Sequence, residues 1–295
     1  MSHMQLSVIV VNFNGKTFLE DCLTSLNSHV SCRHEVIVVD NASTDGSVEY
    51  IVNMFPGVRV IESQANLGFA AGNNLGAQQA EGEYLLLLNT DACLRDDIQP
   101  VLTLLDRHRD IGVAGAKMLD RNLEYRLSAG YFPSPLRLIR ISSLYKKDGC
   151  FSSGDFPVRP NAHYPVDWVE GSFLLTRREL WNQLGGLDEA YFMYVEDVDY
   201  CRRALEHGHK TVFCPSVSYV HHGGYGSGRI SLLVKGFILY HAKFSGWFQR
   251  LFVRLVLAAG MAGRYAVNAI LALSGKKERV EKAASCRDAF VACLR

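Results

Sequence analysis

The sequence predicts an α/β fold, a sheet covered by helices on both faces, followed by a helical extension at the C-terminal end. Three features predict it. Short aliphatic runs of strand length alternate with stretches of helical period through the first hundred residues. Asn and Asp gather directly behind three of those runs. Residues 229–295 then change to a basic, apolar composition.

Residues 6–11 are a β-branched run of buried-strand type. Residues 16–28 place Phe18, Leu19, Cys22, Leu23 and Leu26 at helical spacing. Residues 36–39 and 58–61 supply the second and third strands, 70–80 a helix and 84–88 a fourth strand. This βαβαβαβ rhythm implies parallel pairing with right-handed crossovers. Residues 97–107 and 111–118 continue as a helix and a strand. From 121 to 164 the pattern weakens into a long excursion or lid, with Pro, Gly and Ser among basic residues. Order returns over 166–175, with helices near 177–184 and 196–207. A short strand near 210–213 then leads through Pro215 to Tyr219-Val220-His221-His222-Gly223-Gly224.

The 295 residues, 48% apolar, suffice for one large core or two smaller ones. A net charge of +1 hides a division: residues 229–295 hold twelve Lys/Arg against three acids, so the preceding body is acidic. A basic, apolar tail suits an anionic surface, and a membrane is the first candidate. No recognisable nucleic-acid module accompanies it, and a nucleic-acid partner is not expected. The eight cysteines show no C-x-x-C pair and no zinc spacing, and no secretory signal precedes the first strand. Free thiols in a reducing cytosol are therefore expected. Met1-Ser2-His3-Met4 reads as a cloning remnant ahead of a natural start at Met4.

In open α/β sheets ligands bind at the carboxyl ends of the strands. Asn12 and Asn14, Asp40 and Asn41, and Asn89-Thr90-Asp91 fall at three such ends. Turn chemistry accounts for any one cluster, but less readily for all three. Asp91 fits either a helix cap or a ligand for a hard cation that grips diphosphate oxygens. The cation reading needs further ligands, and His221 or His222 is available; mixed Asp/His ligation suits Mn²⁺, or Mg²⁺ completed by water and phosphate. Glu196, Asp197 and Asp199 open a helix, where they serve either as first-turn charge or as a carboxylate base for an attacking hydroxyl. Asn66-Leu67-Gly68 precedes a helix start at which backbone N–H groups can approach phosphate, while Gly72 and Gly76 suit close helix–sheet packing. Neither a G-x-G-x-x-G fingerprint nor a P-loop is present, which disfavours dinucleotide oxidoreductases and P-loop enzymes.

Taken in order, Val10-Val11-Asn12-Phe13-Asn14, Val39-Asp40-Asn41-Ala42-Ser43-Thr44-Asp45-Gly46-Ser47, Asn66-Leu67-Gly68, Leu88-Asn89-Thr90-Asp91, Glu170-Gly171, Glu196-Asp197-Val198-Asp199 and His221-His222-Gly223-Gly224 resemble the inverting glycosyltransferases of family 2 over residues 6–226. The resemblance implies a GT-A fold, a nucleotide-binding mixed sheet flanked by helices, over residues 5–228. Its nucleotide-sugar half covers about 5–118 and its acceptor half about 119–228, with a membrane-associating helical extension over 229–295. It implies that Asp40 bonds a pyrimidine base beside Asn12 and Asn41, and that Asn66 and Gly68 line the nucleotide pocket with Asn14, Asn73 and Asn89. Asp91 matches the last acid of a metal-binding D-x-D whose first acid is Asn89 here, which gives His221 more weight. Asp197 matches the general base, Glu196 orients it or binds acceptor, and Trp168, Glu170 and Gly171 lie on the acceptor side.

The versions of these motifs are most similar to bacterial rhamnosyltransferases using dTDP-L-rhamnose on a glycan or polyprenyl-linked acceptor, in cell-surface polysaccharide synthesis. Galactofuranosyl or N-acetylglucosaminyl transfer from a UDP-sugar is the alternative within the family. A nucleotidyltransferase is disfavoured by the lack of a basic, Gly-rich loop after the first strand, and an inactive carbohydrate-binding protein is the alternative of another class. In the tail, Arg254 and Arg264 interrupt the apolar run 251–273, and a central Arg costs about 2.5–3.5 kcal/mol on insertion scales. An amphipathic helix in the interface, peripheral on the inner face of the cytoplasmic membrane, is the expected arrangement; packing on the body or on another copy in a homo-oligomer is the alternative.

Overall fold

The computed structural model describes residues 5–157, 159, 162–223, 229–273 and 276–294. Residues 1–4, read from the sequence as a cloning remnant, Gly224 and the boundary at 228 lie outside the described residues. In chain order the elements are β1 (Leu6–Asn12), α1 (Lys16–His29), β2 (His34–Asp40), α2 (Ser47–Met54), β3 (Arg59–Glu62), α3 (Gly68–Gln78), β4 (Tyr84–Asn89), β5 (Ala92–Leu94), α4 (Gln99–Arg107) and β6 (Ile111–Leu119). There follow β7 (Tyr125–Arg126), β8 (Ala129–Gly130), α5 (Pro135–Leu138), α6 (Cys150–Ser153), β9 (Tyr164–Val166), β10 (Trp168–Val169), β11 (Phe173–Arg177), α7 (Arg178–Leu184), α8 (Glu196–Glu206) and β12 (Lys210–His221). Three helices close the chain: α9 (Arg229–Phe244), α10 (Trp247–Ala272) and α11 (Lys277–Leu294).

Two compact units divide these elements. The first comprises residues 1–131, 145–190 and 196–223 and holds the sheet, whose order is β3-β2-β1-β4-β11-β6-β12-β5. β1 pairs in parallel with both β2 and β4, and β2 with β3, as the aliphatic runs imply. β11 then enters antiparallel between β4 and β6, and β12 returns parallel to β6. One rim therefore collects the carboxyl ends of β1, β2, β4, β6 and β12 with the amino end of β11. The strand order reverses beside β1, and ligands of open α/β sheets bind at a switch point of this kind.

The core is made by β1, β4 and β11, whose side chains are buried on both faces, with Leu19, Cys22, Leu23 and Leu26 of α1 packed on one side. α3 lies close on the sheet because its glycines leave room. A Cβ on Gly72 would stand 2.9 Å from Val11 Cγ1, and one on Gly76 2.6 Å from Ile9 Cγ2. The sequence reading places the last strand at 210–213, which the structure corrects. β12 runs twelve residues, and its register with β6 slips between Cys214 and Ser218. Pro215 has no N–H for the ladder, so it breaks the pattern without ending the strand.

The second unit holds residues 132–144 and 191–195 and the chain from 224 onward. Within it α10 buries Val253, Leu257, Ala258 and Met261, and α11 buries Ala283, Cys286, Ala289 and Cys293, so that each helix keeps a stripe of small and aliphatic residues inward. Trp247, Phe248, Leu255 and Ile270 on α10 are more than half exposed. By length and composition α10 is sufficient to cross a membrane.

Candidate active site

Every residue that the sequence singles out for chemistry lies in the first unit. At the ends of β1 and β2, Asn12 Nδ2 donates to Asp40 Oδ1 at 2.8 Å and to Ser43 Oγ at 3.1 Å. Asp40 Oδ2 accepts from the Ser43 N–H at 2.8 Å, so each oxygen of this buried carboxylate already has a protein partner. Asn41 Nδ2 donates to the Gly68 carbonyl at 3.0 Å and reaches Asn66 Oδ1 at 3.5 Å. Asn66 Oδ1 accepts the Gly68 N–H at 3.0 Å, closing the turn into α3, where Gly68 has φ +81°. Such a φ favours glycine. Asn73, buried on α3, donates from Nδ2 to the Phe69 carbonyl at 2.9 Å. Exposed Asn14, at φ 52°, accepts the Thr44 N–H at 2.8 Å and braces the loop after β2.

These bonds fix which way three amides point. Asn12, Asn41 and Asn73 each spend their NH₂ on a protein oxygen, which leaves Oδ1 buried and without a hydrogen-bond partner. An unpaired buried polar group costs about 1–3 kcal/mol, so three acceptors at one rim are unfavourable unless a ligand donates to them. A Cβ on Gly15 would stand 2.6 Å from Asn12 Oδ1 and 2.9 Å from Thr90 Cγ2. Only a residue without a side chain fits beside the first of these oxygens.

At the end of β4, Thr90 Oγ1 donates to the Val11 carbonyl at 2.8 Å and fixes the turn that carries Asp91. His221, the last residue of β12, places Nε2 3.1 Å from Asp91 Oδ1 and 3.2 Å from Asn89 Nδ2. Two adjacent ligands of an octahedral ion with bonds of about 2.1 Å stand about 3.0 Å apart, so the Asp91–His221 pair has the spacing of a divalent-cation edge. A Cβ on Gly223 would stand 2.3 Å from Asp91 Oδ2, so only glycine leaves that oxygen open. His222 faces elsewhere: its ring stacks on Phe18 with centroids 6.1 Å apart, while its N–H donates to the Asp91 carbonyl at 2.8 Å.

Glu196 and Asp197 begin α8, beyond two residues in the left-handed region, Tyr194 (φ 72°) and Val195 (φ 76°). Left-handed backbone at a β-branched residue is strained, by about 1–3 kcal/mol. Asp197 Oδ2 accepts the Gly171 N–H at 2.9 Å, and Oδ1 accepts the Val198 N–H at 2.8 Å. The next carbonyl, that of Ser172, accepts the Asn89 N–H at 3.2 Å, so Asp197 is two hydrogen bonds from the strand end beside His221. Burial pushes the Asp197 carboxyl up, and the two N–H donors oppose that shift. Glu196, 4% exposed, is driven well above the usual range by burial and then by the charge of Asp197, and its Oε2 has no partner. Of the two carboxyls Glu196 is pushed up the further, so it holds a proton more readily than Asp197 does. Asp199 behaves as first-turn structure: it is buried and bonded to Arg203 at 2.6 Å.

In the segment leading to Gly171, Trp168 is buried with Nε1 donating to the Tyr131 carbonyl at 2.9 Å, and Glu170 Oε1 accepts from the Tyr145 hydroxyl at 3.0 Å. Sequence reasoning gave no role to Ser43, Gly15 or Tyr145. Ser43 sits inside a turn motif that any loop could carry, and Tyr145 falls where the periodic pattern fails.

The profile described as Glycosyl transferase family 2 matches residues 7–164. The chain belongs to glycosyl transferase family 2. Among curated relatives of this family 2 chain, the N-acetylglucosaminyl-diphospho-decaprenol L-rhamnosyltransferase of Mycobacterium tuberculosis is 30% identical over 76% of this chain and 78% of its own length. Rhamnosyltransferase WbbL of Escherichia coli is 25% identical over 73% of this chain and 83% of its own. Among solved structures, GalNAc-T7 with UDP, GalNAc and Mn²⁺ superposes with TM-score 0.64 at 16% identity, over 85% of this chain and half of that longer one. The fold is of the GT-A class, a mixed sheet flanked by helices, and the chain is a glycosyltransferase.

Proposed function

We propose that this family 2 enzyme transfers L-rhamnose, with inversion, from dTDP-L-rhamnose to a polyprenyl-linked glycan at the inner face of the cytoplasmic membrane. The observation that carries the reading is the 3.1 Å Asp91–His221 pair beside β4, supported by the Gly171–Asp197 bond and by the unpaired oxygens of Asn12, Asn41 and Asn73. Both relatives described above bear rhamnosyltransferase names, and one name specifies a diphospho-decaprenol-linked N-acetylglucosamine. On this reading residues 5–228 are the catalytic domain and 229–295 the membrane-associating extension.

Asp40, oriented by Asn12 and the Ser43 turn, accepts the single ring N–H of the pyrimidine base with a remaining lone pair, while Asn12 and Asn41 beside it offer their free oxygens to hydroxyl groups of the donor. Asn66 and Gly68 shape the pocket wall, Asn73 contributes its free acceptor, Asn14 holds the loop and Asn89 sets the His221 ring. Asp91 and His221 would hold Mn²⁺ or Mg²⁺, which supplies Lewis-acid stabilisation of the departing diphosphate. Asp197, ionised and aimed by the Gly171 N–H, takes the proton of the acceptor hydroxyl as that oxygen attacks the anomeric carbon. Glu196, protonated beside it, donates a hydrogen bond to acceptor or base. Trp168 and Glu170 bind the acceptor sugar.

The charge of the tail and the exposed Trp247 and Phe248 support α10 lying in the interface, its apolar face in the acyl boundary. A thermal-shift screen of dTDP- and UDP-sugars, each with and without Mn²⁺ or Mg²⁺, tests the donor assignment. Mass action predicts the largest rise for dTDP-L-rhamnose with metal. A larger rise with a UDP-sugar transfers the assignment to galactofuranosyl or N-acetylglucosaminyl chemistry, and no rise with any nucleotide sugar contradicts the reading.

A further inference from the structure

Behind the Asp91–His221 pair lies a second group of potential ligands. Asp21 of α1, Cys93 of β5 and His222 bring a carboxylate oxygen, a thiol sulfur and a ring nitrogen within 4.8 Å of one another. Three separate elements supply them, and each is held independently. β5 pairs with β12 so that Val220 is opposite Cys93, which makes His222 the diagonal neighbour of Cys93 on the same face. α1 presents Phe18, Asp21, Cys22 and Ser25 as one helical stripe towards that ladder. Phe18 stacks on the His222 ring, and Ser25 Oγ accepts the Leu94 N–H at 3.0 Å, so the helix is fastened on both sides of Asp21. No hydrogen bond or ion pair engages the Asp21 carboxylate, the Cys93 thiol or the His222 ring nitrogens among the described residues.

We infer that Asp21, Cys93 and His222 form a binding site for a borderline-soft divalent cation of the Zn²⁺ class, separate from the hard-cation pair at Asp91 and His221. The donor chemistry separates the two. A thiolate, an imidazole and a carboxylate together match Zn²⁺, three protein ligands leaving a fourth position for water. Mg²⁺ prefers oxygen throughout. Donors about 3.5 Å apart fit tetrahedral bonds of 2.0–2.3 Å. Asp21 is exposed and partnerless, so a side-chain rotation closes the group. Binding expels the thiol proton, leaving Cys93 as thiolate. The bound ion would tie α1 to the residue following His221, bracing the strand end that carries the catalytic-metal ligand.

Co²⁺, whose thiolate complexes absorb in the near ultraviolet, tests this directly on the full chain in excess Mg²⁺. The expected result is a thiolate–Co²⁺ band that Zn²⁺ abolishes by displacement. It should persist in Asp91→Asn, vanish in Cys93→Ser, and need about tenfold more Co²⁺ or above in Asp21→Asn and His222→Ala. Circular dichroism of each variant confirms that it is folded. Absence of the band in the wild-type chain, its survival in Cys93→Ser, or an unchanged titration in both other variants would overturn the inference. Because the readout is metal–sulfur absorbance, it is independent of whether the donor is dTDP-rhamnose.

Discussion

The Gly171 N–H points at Asp197 Oδ2 from 2.9 Å, across 26 residues of sequence. That bond sets the direction of the proposed base. It also favours the charged form against the burial that pushes the carboxyl up. The balance leaves Asp197 above the ordinary aspartate value, so it loses activity as it gains a proton. We predict that kcat/KM at saturating metal rises with pH through an acid limb placed above the usual Asp range. A pH–rate profile checks this, and a limb at or below the ordinary Asp value contradicts it.

Glu196 offers a stability test with an opposite sign from most acids. Its folded-state pKa is raised, so the folded chain binds the proton more tightly than the unfolded chain does. That contribution is present below the ordinary Glu value and is lost as pH rises through the raised one. Glu196→Gln removes the dependence. The melting temperature of this variant should exceed that of the wild type at neutral pH and converge with it in acid. Equal melting temperatures at neutral pH, measured calorimetrically, would count against a protonated, desolvated Glu196.

At the metal pair the prediction concerns a residue with no side chain. Gly223→Ala would push a methyl against Asp91 Oδ2, while the glycine itself is exposed and the fold has no need of it. Mn²⁺ affinity should fall about 10–100-fold, comparable with His221→Ala, without loss of melting temperature. His222→Ala should leave Mn²⁺ affinity near the wild-type value. Isothermal titration with Mn²⁺ separates the three.

The exposed aromatics of α10 give the membrane prediction. Burying each apolar side chain is worth about 1.5–3 kcal/mol. Trp247→Ala with Phe248→Ala should therefore move most of the protein from the floating to the soluble fraction on anionic liposomes, with its melting temperature unchanged. Equal flotation of variant and wild type would remove α10 from the membrane account.

Much of this was legible in the sequence because the local signals agreed. Aliphatic runs followed by Asn or Asp mark buried parallel strands with a polar rim, and β1, β2 and β4 form as read. β11 was harder, because an antiparallel strand inserted between β4 and β6 carries no periodicity that differs from a parallel one. Pro215 hid the length of β12. In the site, Asp91 and His221 could be paired only through motif order; nothing local brings together residues 130 apart, and the strand order β6-β12-β5 does so. The choice between His221 and His222 needed the structure, since adjacent strand residues point to opposite faces. Ser43 and Tyr145 were missed because their roles lie in hydrogen bonds to distant loops rather than in any sequence pattern.

The most direct test is to assay Asp197→Asn for rhamnosyl transfer from dTDP-L-rhamnose to a polyprenyl-diphosphate-linked N-acetylglucosamine, with donor affinity measured on the same preparation. The account predicts that the wild type turns over with Mn²⁺ or Mg²⁺, and that the variant loses about 10²–10⁴-fold in kcat while donor and metal bind as before. A variant that keeps its turnover with donor binding intact would contradict the placement of the base at the rim shared with Asp91 and His221.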